Sequence, residues 1–131
     1  MAEIMMRDQS RAGHVLGGAR VADLPDEVSV RDVVHTRIHS EVAAYNAGPG
    51  PVFCGLVQPA DAVRHSDGFR MREPRPLDAE LLIAAAEEAI GLGLLRLRLD
   101  DRPVDLDELI APADHDELIA VLERSVVASS S

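Results

Sequence analysis

The sequence predicts an α+β domain in which short strands pack around one main helix, with a second helix following it in the chain. Three segments carry that prediction. Val28–Asn46 opens on a helix-capping pattern and continues as an apolar stripe. Leu94–Leu99 alternates like a half-buried strand, and a broadly apolar helix beginning at Asp78 lies between the two.

The first apolar run, Ile4–Arg7, and a second at Ala19–Leu24, preceded by Gly17-Gly18, form a candidate N-terminal hairpin. Pro25-Asp26-Glu27 breaks the second strand. Ser29 then stands at a helix N-cap with Asp32 three residues on, the spacing of a capping box, and Val28 and Val33 occupy the hydrophobic-staple positions. Val30, Val33, Val34, Ile38, Val42 and Tyr45 follow at helical spacing and define one buried face. Gly48 and Pro49 end the helix, the first by tolerating positive φ and the second by lacking an amide proton.

Residues 47–77 are punctuated by Pro49, Gly50, Pro51, Pro59, Gly68, Pro74 and Pro76 and read as irregular, with one short strand at Val52–Val57. The second helix runs from Asp78 to about Gly91, with Leu77 and Leu82 as its staple. Its apolar residues, Leu81 to Leu92, cover far more of its girth than the ~100° stripe of an ordinary surface helix. Such a helix is either covered on two sides or offers a strip to a partner. Leu95, Leu97 and Leu99 share one face of the next strand, and Arg96 and Arg98 share the other. A turn at Asp101-Arg102 leads to a short return strand, Pro103–Asp105, and Leu106–Ile110 reads as a helical turn. By periodicity alone, Leu118–Val127 fits helix or strand.

Composition narrows the function. At 131 residues and 47% hydrophobic content, the chain suits one domain that buries roughly two-thirds of its unfolded surface. Its N-terminus has no signal-peptide pattern, and no stretch approaches the ~18 apolar residues of a membrane span. A single cysteine, Cys54, precludes an internal disulfide and points to a cytoplasmic protein. All thirteen basic residues are Arg, so no side-chain amine can form a Schiff base or an isopeptide bond. The net charge of −10 is uneven: residues 1–77 hold ten acids against nine Arg, and 78–131 hold thirteen against four. That acidic surface repels nucleic acid and favours an Arg-bearing protein surface.

The element order resembles ubiquitin and its β-grasp relatives. The residues that carry the likeness are Val28–Val34, similar to the strand-to-helix entry of ubiquitin-like proteins, then Leu95–Leu99, Asp101–Val104 and Asp107–Ile110, similar to their third strand, turn and short helical turn. Gly55–Pro59 is similar to a segment of a group of small bacterial ubiquitin-like proteins. The resemblance implies a mixed sheet and makes Glu117–Arg124 the closing strand beside the first. Residues 47–93, with the second helix, become an insertion in a domain spanning 1–128, followed by a disordered tail at 129–131. Conjugated family members end in two glycines, whereas this chain ends in Ser129-Ser130-Ser131, so the resemblance implies a non-covalent adaptor.

The remaining candidates are weaker. His35 and His39 have the i, i+4 spacing of two zinc ligands on a helix, but without the glutamate of a metalloprotease motif they read as solvent-facing. Asp114-His115-Asp116, with Asp105, Asp107 and Glu108, lacks the calcium-loop spacing and reads as a solvated acidic loop. Cys54, between Phe53 and Gly55, reads as a small buried hydrophobe. Arg64, His65, Arg70, Arg72 and Arg75 make 64–76 the one basic patch, either a lid over the acidic half or a contact surface. The expectation is a non-enzymatic module without cofactor or metal, binding another protein through Arg64, Arg70, Arg72 and Arg75, through Arg96 and Arg98, or through the wide helix. The alternatives are a small metal- or thiol-dependent enzyme and a covalent modifier with an atypical tail.

Overall fold

A computed structural model describes residues 1–128, and the tail at 129–131 lies outside the described residues. Strands β1 (Ala2–Ser10) and β2 (Val15–Leu24) form an antiparallel hairpin longer than the apolar runs indicated, and Gly17-Gly18 lies within β2 rather than before it. In β1, Ile4, Met6 and Asp8 point inward while Glu3, Met5 and Arg7 face out. A Cβ on Gly18 would stand 2.5 Å from the Met6 carbonyl oxygen, so only glycine permits this approach of β2 to β1. A two-residue strand, β3 (Val28–Ser29), leads into helix α1 (Val30–Asn46). The Ser29 hydroxyl accepts the Asp32 amide at 3.1 Å, so the expected cap is present. The whole predicted stripe from Val30 to Tyr45 is buried.

The stretch read as irregular is more ordered than that reading. Strands β4 (Val52–Phe53), β5 (Val63–His65) and β6 (Gly68–Arg70) form a small antiparallel sheet in the order β4-β6-β5, and the strand expected over Val52–Val57 is only its first two residues. Pairing over two or three residues leaves too little alternation to read from sequence. The Phe53 ring meets Tyr45 edge-on, with centroids 5.5 Å apart and planes at 86°, and this contact seats the small sheet on the end of α1. Helix α2 (Ala79–Gly91) is capped by the Asp78 side chain, which accepts the Glu80 amide at 3.0 Å. Leu82, Ile83, Ala86 and Ala89 are buried against the fold, Ala85 and Ile90 pack partly against it, and Leu92 just past the helix is exposed. The wide apolar girth is therefore mostly internal.

Strand β7 (Leu95–Leu99) buries its leucines and exposes its arginines, as the alternation predicts. The turn to β8 (Arg102–Pro103) is made by Asp100 and Asp101, both at positive φ, one residue earlier than expected. The segment read as a helical turn contains instead a two-residue strand, β9 (Leu109–Ile110), paired antiparallel with β3. The 3-10 turn falls later, at Pro112–Asp114, where proline pre-sets φ. The last strand, β10 (Glu117–Leu122), settles the ambiguous run: Leu118, Ala120 and Leu122 point inward at strand period.

The main sheet has the order β2-β1-β10-β7-β8. β10 runs parallel to β1 and antiparallel to β7, so the sheet is mixed and its centre joins the two ends of the chain. Helix α1 packs on the inner face, and α2 lies against α1 and β7. The molecule is thus a small α+β domain with a mixed sheet, one longer helix and a second, inserted one.

Candidate functional site

The outer face of the main sheet is open. Its registers place Gly18, Arg7, Ile119, Arg98 and Pro103 in one row across the five strands, and Val15, Gln9, Val121 and Arg96 in the next. Ile119 and Val121 are half-buried at the centre, Met5 and Val15 are exposed beside them, and arginines stand on both flanks. Arg7 pairs with Glu117 at 3.2 Å, Arg20 with Glu3 at 2.9 Å, and Arg96 and Arg11 share Glu123 at 3.4 and 3.6 Å. Arg98 donates to the Asp101 carbonyl at 3.0 Å. On a chain of net charge −10, this face gathers Arg7, Arg11, Arg20, Arg96 and Arg98 against Glu3, Glu117 and Glu123. Such exposed pairs are weak and exchange readily for a partner's carboxylates.

The arginines of 64–76 lie on the small sheet and the stretch after it, not on the main sheet that carries Arg96 and Arg98. Arg64, on β5, lies over the Phe69 ring at 4.6 Å and reaches the Ser125 hydroxyl at 3.4 Å. Arg70, on β6, pairs with Asp67 at 3.5 Å. Arg72 is exposed, and half-buried Arg75 donates to the Ala60 carbonyl at 3.3 Å.

Inside the fold lies a group that the sequence reading missed. Arg37, on the buried face of α1, forks onto Asp8 of β1 with two hydrogen bonds of 2.6 Å, and its Nε donates to Glu41 at 3.2 Å. The other Glu41 oxygen accepts the Leu56 amide at 3.2 Å. Arg37 and Asp8 are almost wholly enclosed. Burial lowers the guanidinium's proton affinity, but its bonds to Asp8 and the two carboxylate charges outweigh that and leave the Arg37 pKa raised. For Glu41 burial wins: its carboxyl is pushed above the ordinary glutamate value despite the opposing Arg37 charge and Leu56 amide. The group faces a cavity of about 170 Å3 that Gly17, Cys54, Gly55, Arg64 and Asp67 also line. The signal was present in the sequence, since Arg37 interrupts an apolar stripe and Asp8 continues the Ile4, Met6 alternation.

The histidines face acids of the second helix. His35 Nε2 lies 3.1 Å from Glu87, which Arg31 also approaches at 3.5 Å, and His39 lies 3.5 Å from Glu80. His39 is exposed, as expected, whereas His35 is half-buried between the two helices. His115 Nδ1 lies 2.6 Å from Asp100. Arg102 forks onto Glu108, which holds that carboxyl below its usual range through the hydrogen bond it donates. Among the described residues, no group of three His, Cys, Asp or Glu side chains could hold a metal ion. Cys54 corrects the expectation of burial: it is exposed, because it follows the end of β4 just past buried Phe53, and its thiol donates to the Asp67 carbonyl at 3.3 Å.

Compared with known proteins, the chain matches no family model, no curated protein and no solved structure. Among the described residues, no helix is long and apolar enough to cross a membrane.

Proposed function

We propose that this chain is a ubiquitin-like β-grasp module that binds another protein non-covalently, through the outer face of its main sheet. The strand order, with parallel terminal strands at the centre and the long helix beneath, supports the β-grasp reading. The observation that carries the binding reading is the apolar centre of Ile119 and Val121 between Arg7 on one side and Arg96 and Arg98 on the other. An apolar core with a charged rim is the usual anatomy of a protein-binding patch. The rim's local charge is opposite to that of the chain as a whole, so it favours an acidic partner surface.

Capture from native lysate on tagged wild-type protein, run beside the double variant Arg96→Glu/Arg98→Glu, tests this. A partner that the wild type holds and a mild denaturing wash releases should lose about tenfold or more in affinity for the variant. Equal retention by the variant moves the site away from the sheet. Adducts that survive denaturation replace the adaptor reading with that of a covalent modifier.

A further inference from the structure

Asp8, Arg37 and Glu41 bring two carboxylates and one guanidinium into one enclosed space, so the fully ionised group holds one uncompensated negative charge. Arg37 is committed to Asp8 by two 2.6 Å bonds and touches Glu41 through a single one of 3.2 Å, so the surplus resides on Glu41. What encloses Glu41 is largely the inserted segment. Its Leu56 amide bonds one carboxylate oxygen, and a Cβ on Gly55 would stand 3.2 Å from that oxygen and 2.6 Å from the Phe53 ring. Cys54, Arg64, Ser66, Asp67 and Phe69 complete the cavity wall from the same segment.

We propose that Glu41 is a proton-operated latch: protonated, it lets the 54–57 stretch close over the Asp8–Arg37 pair, and ionised, it loosens that stretch. Closing the segment strips water from the Glu41 carboxyl, which disfavours its charged form, and this loss outweighs the Leu56 amide that the same closure brings to it. The ionisable groups facing it are Arg37 from its own helix, Asp8 from β1, and Cys54, Arg64 and Asp67 from the inserted segment. Arg37 is held by Asp8, and Arg64 is drawn to Phe69 and Ser125. The raised proton affinity of Glu41 agrees with this geometry.

The direction follows from linkage. The closed segment binds the proton more tightly than the open one. Closure is therefore fully favoured below the ordinary glutamate value and declines as pH rises through the higher closed-state value. Two other anchors of the segment involve no ionisable group: Gln58 pairs with the backbone of Val126 and Ala128, and Asn46 clamps Leu77. Loosening therefore stays local to residues 54–57.

Amide hydrogen exchange on the intact protein from about pH 4 to about pH 8 tests the latch, with rates corrected for intrinsic base catalysis. Protection of the Leu56 amide should fall by up to about tenfold per pH unit within the window, the limit for one proton. Protection at Ala120, in the centre of the main sheet, should stay level. In Glu41→Gln, which keeps an acceptor for Leu56 without the charge, the Leu56 profile should flatten. A level Leu56 profile in the wild type overturns the proposal. So does a parallel loss at Leu56 and Ala120, which would make the effect global, or an unchanged slope in the variant. The wild-type comparison of the two amides decides the matter even if the variant does not fold.

Discussion

Arg37 and Arg96 both bind glutamate and belong to opposite sides of one sheet. The Arg37 side chain is 1% exposed and sits between α1 and β1, whereas that of Arg96 is 66% exposed on the open face. The chemistry is the same and the consequences are not. In the interior, each ion has lost its water and depends on its partners. On the outer face, water competes for every contact, so the same pairing adds little stability and remains available to another molecule.

Removing one partner of each network breaks or sharpens this contrast. Arg37→Ala strands Asp8 and Glu41 without a counter-charge and should cost about 3–5 kcal/mol in urea unfolding, one of the largest single-residue effects in the molecule. A cost near that of a surface substitution would mean that water enters the cavity and the network is not dry. Asn46→Ala removes a neutral clamp, in which the side chain donates to the Leu77 carbonyl and accepts the Leu77 amide, both at 2.8 Å. The expected cost is about 1–3 kcal/mol, intermediate because a partly buried backbone pair is left unmatched but no charge is. Arg96→Ala should change stability by less than about 1 kcal/mol while weakening partner capture. A larger loss of stability would show that Arg96 holds the sheet together, and the outer face would then be structural.

Much of the fold was legible because local chemistry specifies it. Ser29 and Asp32 announce the start of α1, and its six apolar positions from Val30 to Tyr45 all face the core. The alternation of Leu95–Leu99 fixes which side of β7 is wet. The N-cap at Asp78 marks α2. The small sheet of the inserted segment was not legible, because strands of two or three residues exist only through their partners. Leu109–Ile110 went the same way: two residues adjacent to Glu108 and Asp107 carry no strand signal, and their pairing with Val28–Ser29 is what makes them one. Cys54 was misread because a thiol flanked by phenylalanine and glycine suits a core, whereas the end of β4 turns it outward.

The candidate sites divided similarly. Arg96 and Arg98 were assigned correctly to the solvent side of their strand, since a period of two needs only the strand itself. Their neighbours Arg7, Ile119 and Val121 come from the two ends of the chain and meet them only across the sheet. His35 and His39 share a helix face by spacing, but it is Glu87 and Glu80, on the other helix, that define their surroundings.

By itself, then, the sequence determined the two helices, their N-terminal caps, the inner and outer sides of β7, the acidic balance and the absence of lysine. Each is set by residues within a few positions of one another or by composition. The tertiary structure decided the parallel pairing of β1 with β10, the basic outer face and the enclosure of Asp8, Arg37 and Glu41 beneath Leu56. Those contacts join residues that local propensity cannot relate. They form only when the whole chain closes, and there burial turns an ordinary Arg-carboxylate contact into a demanding one.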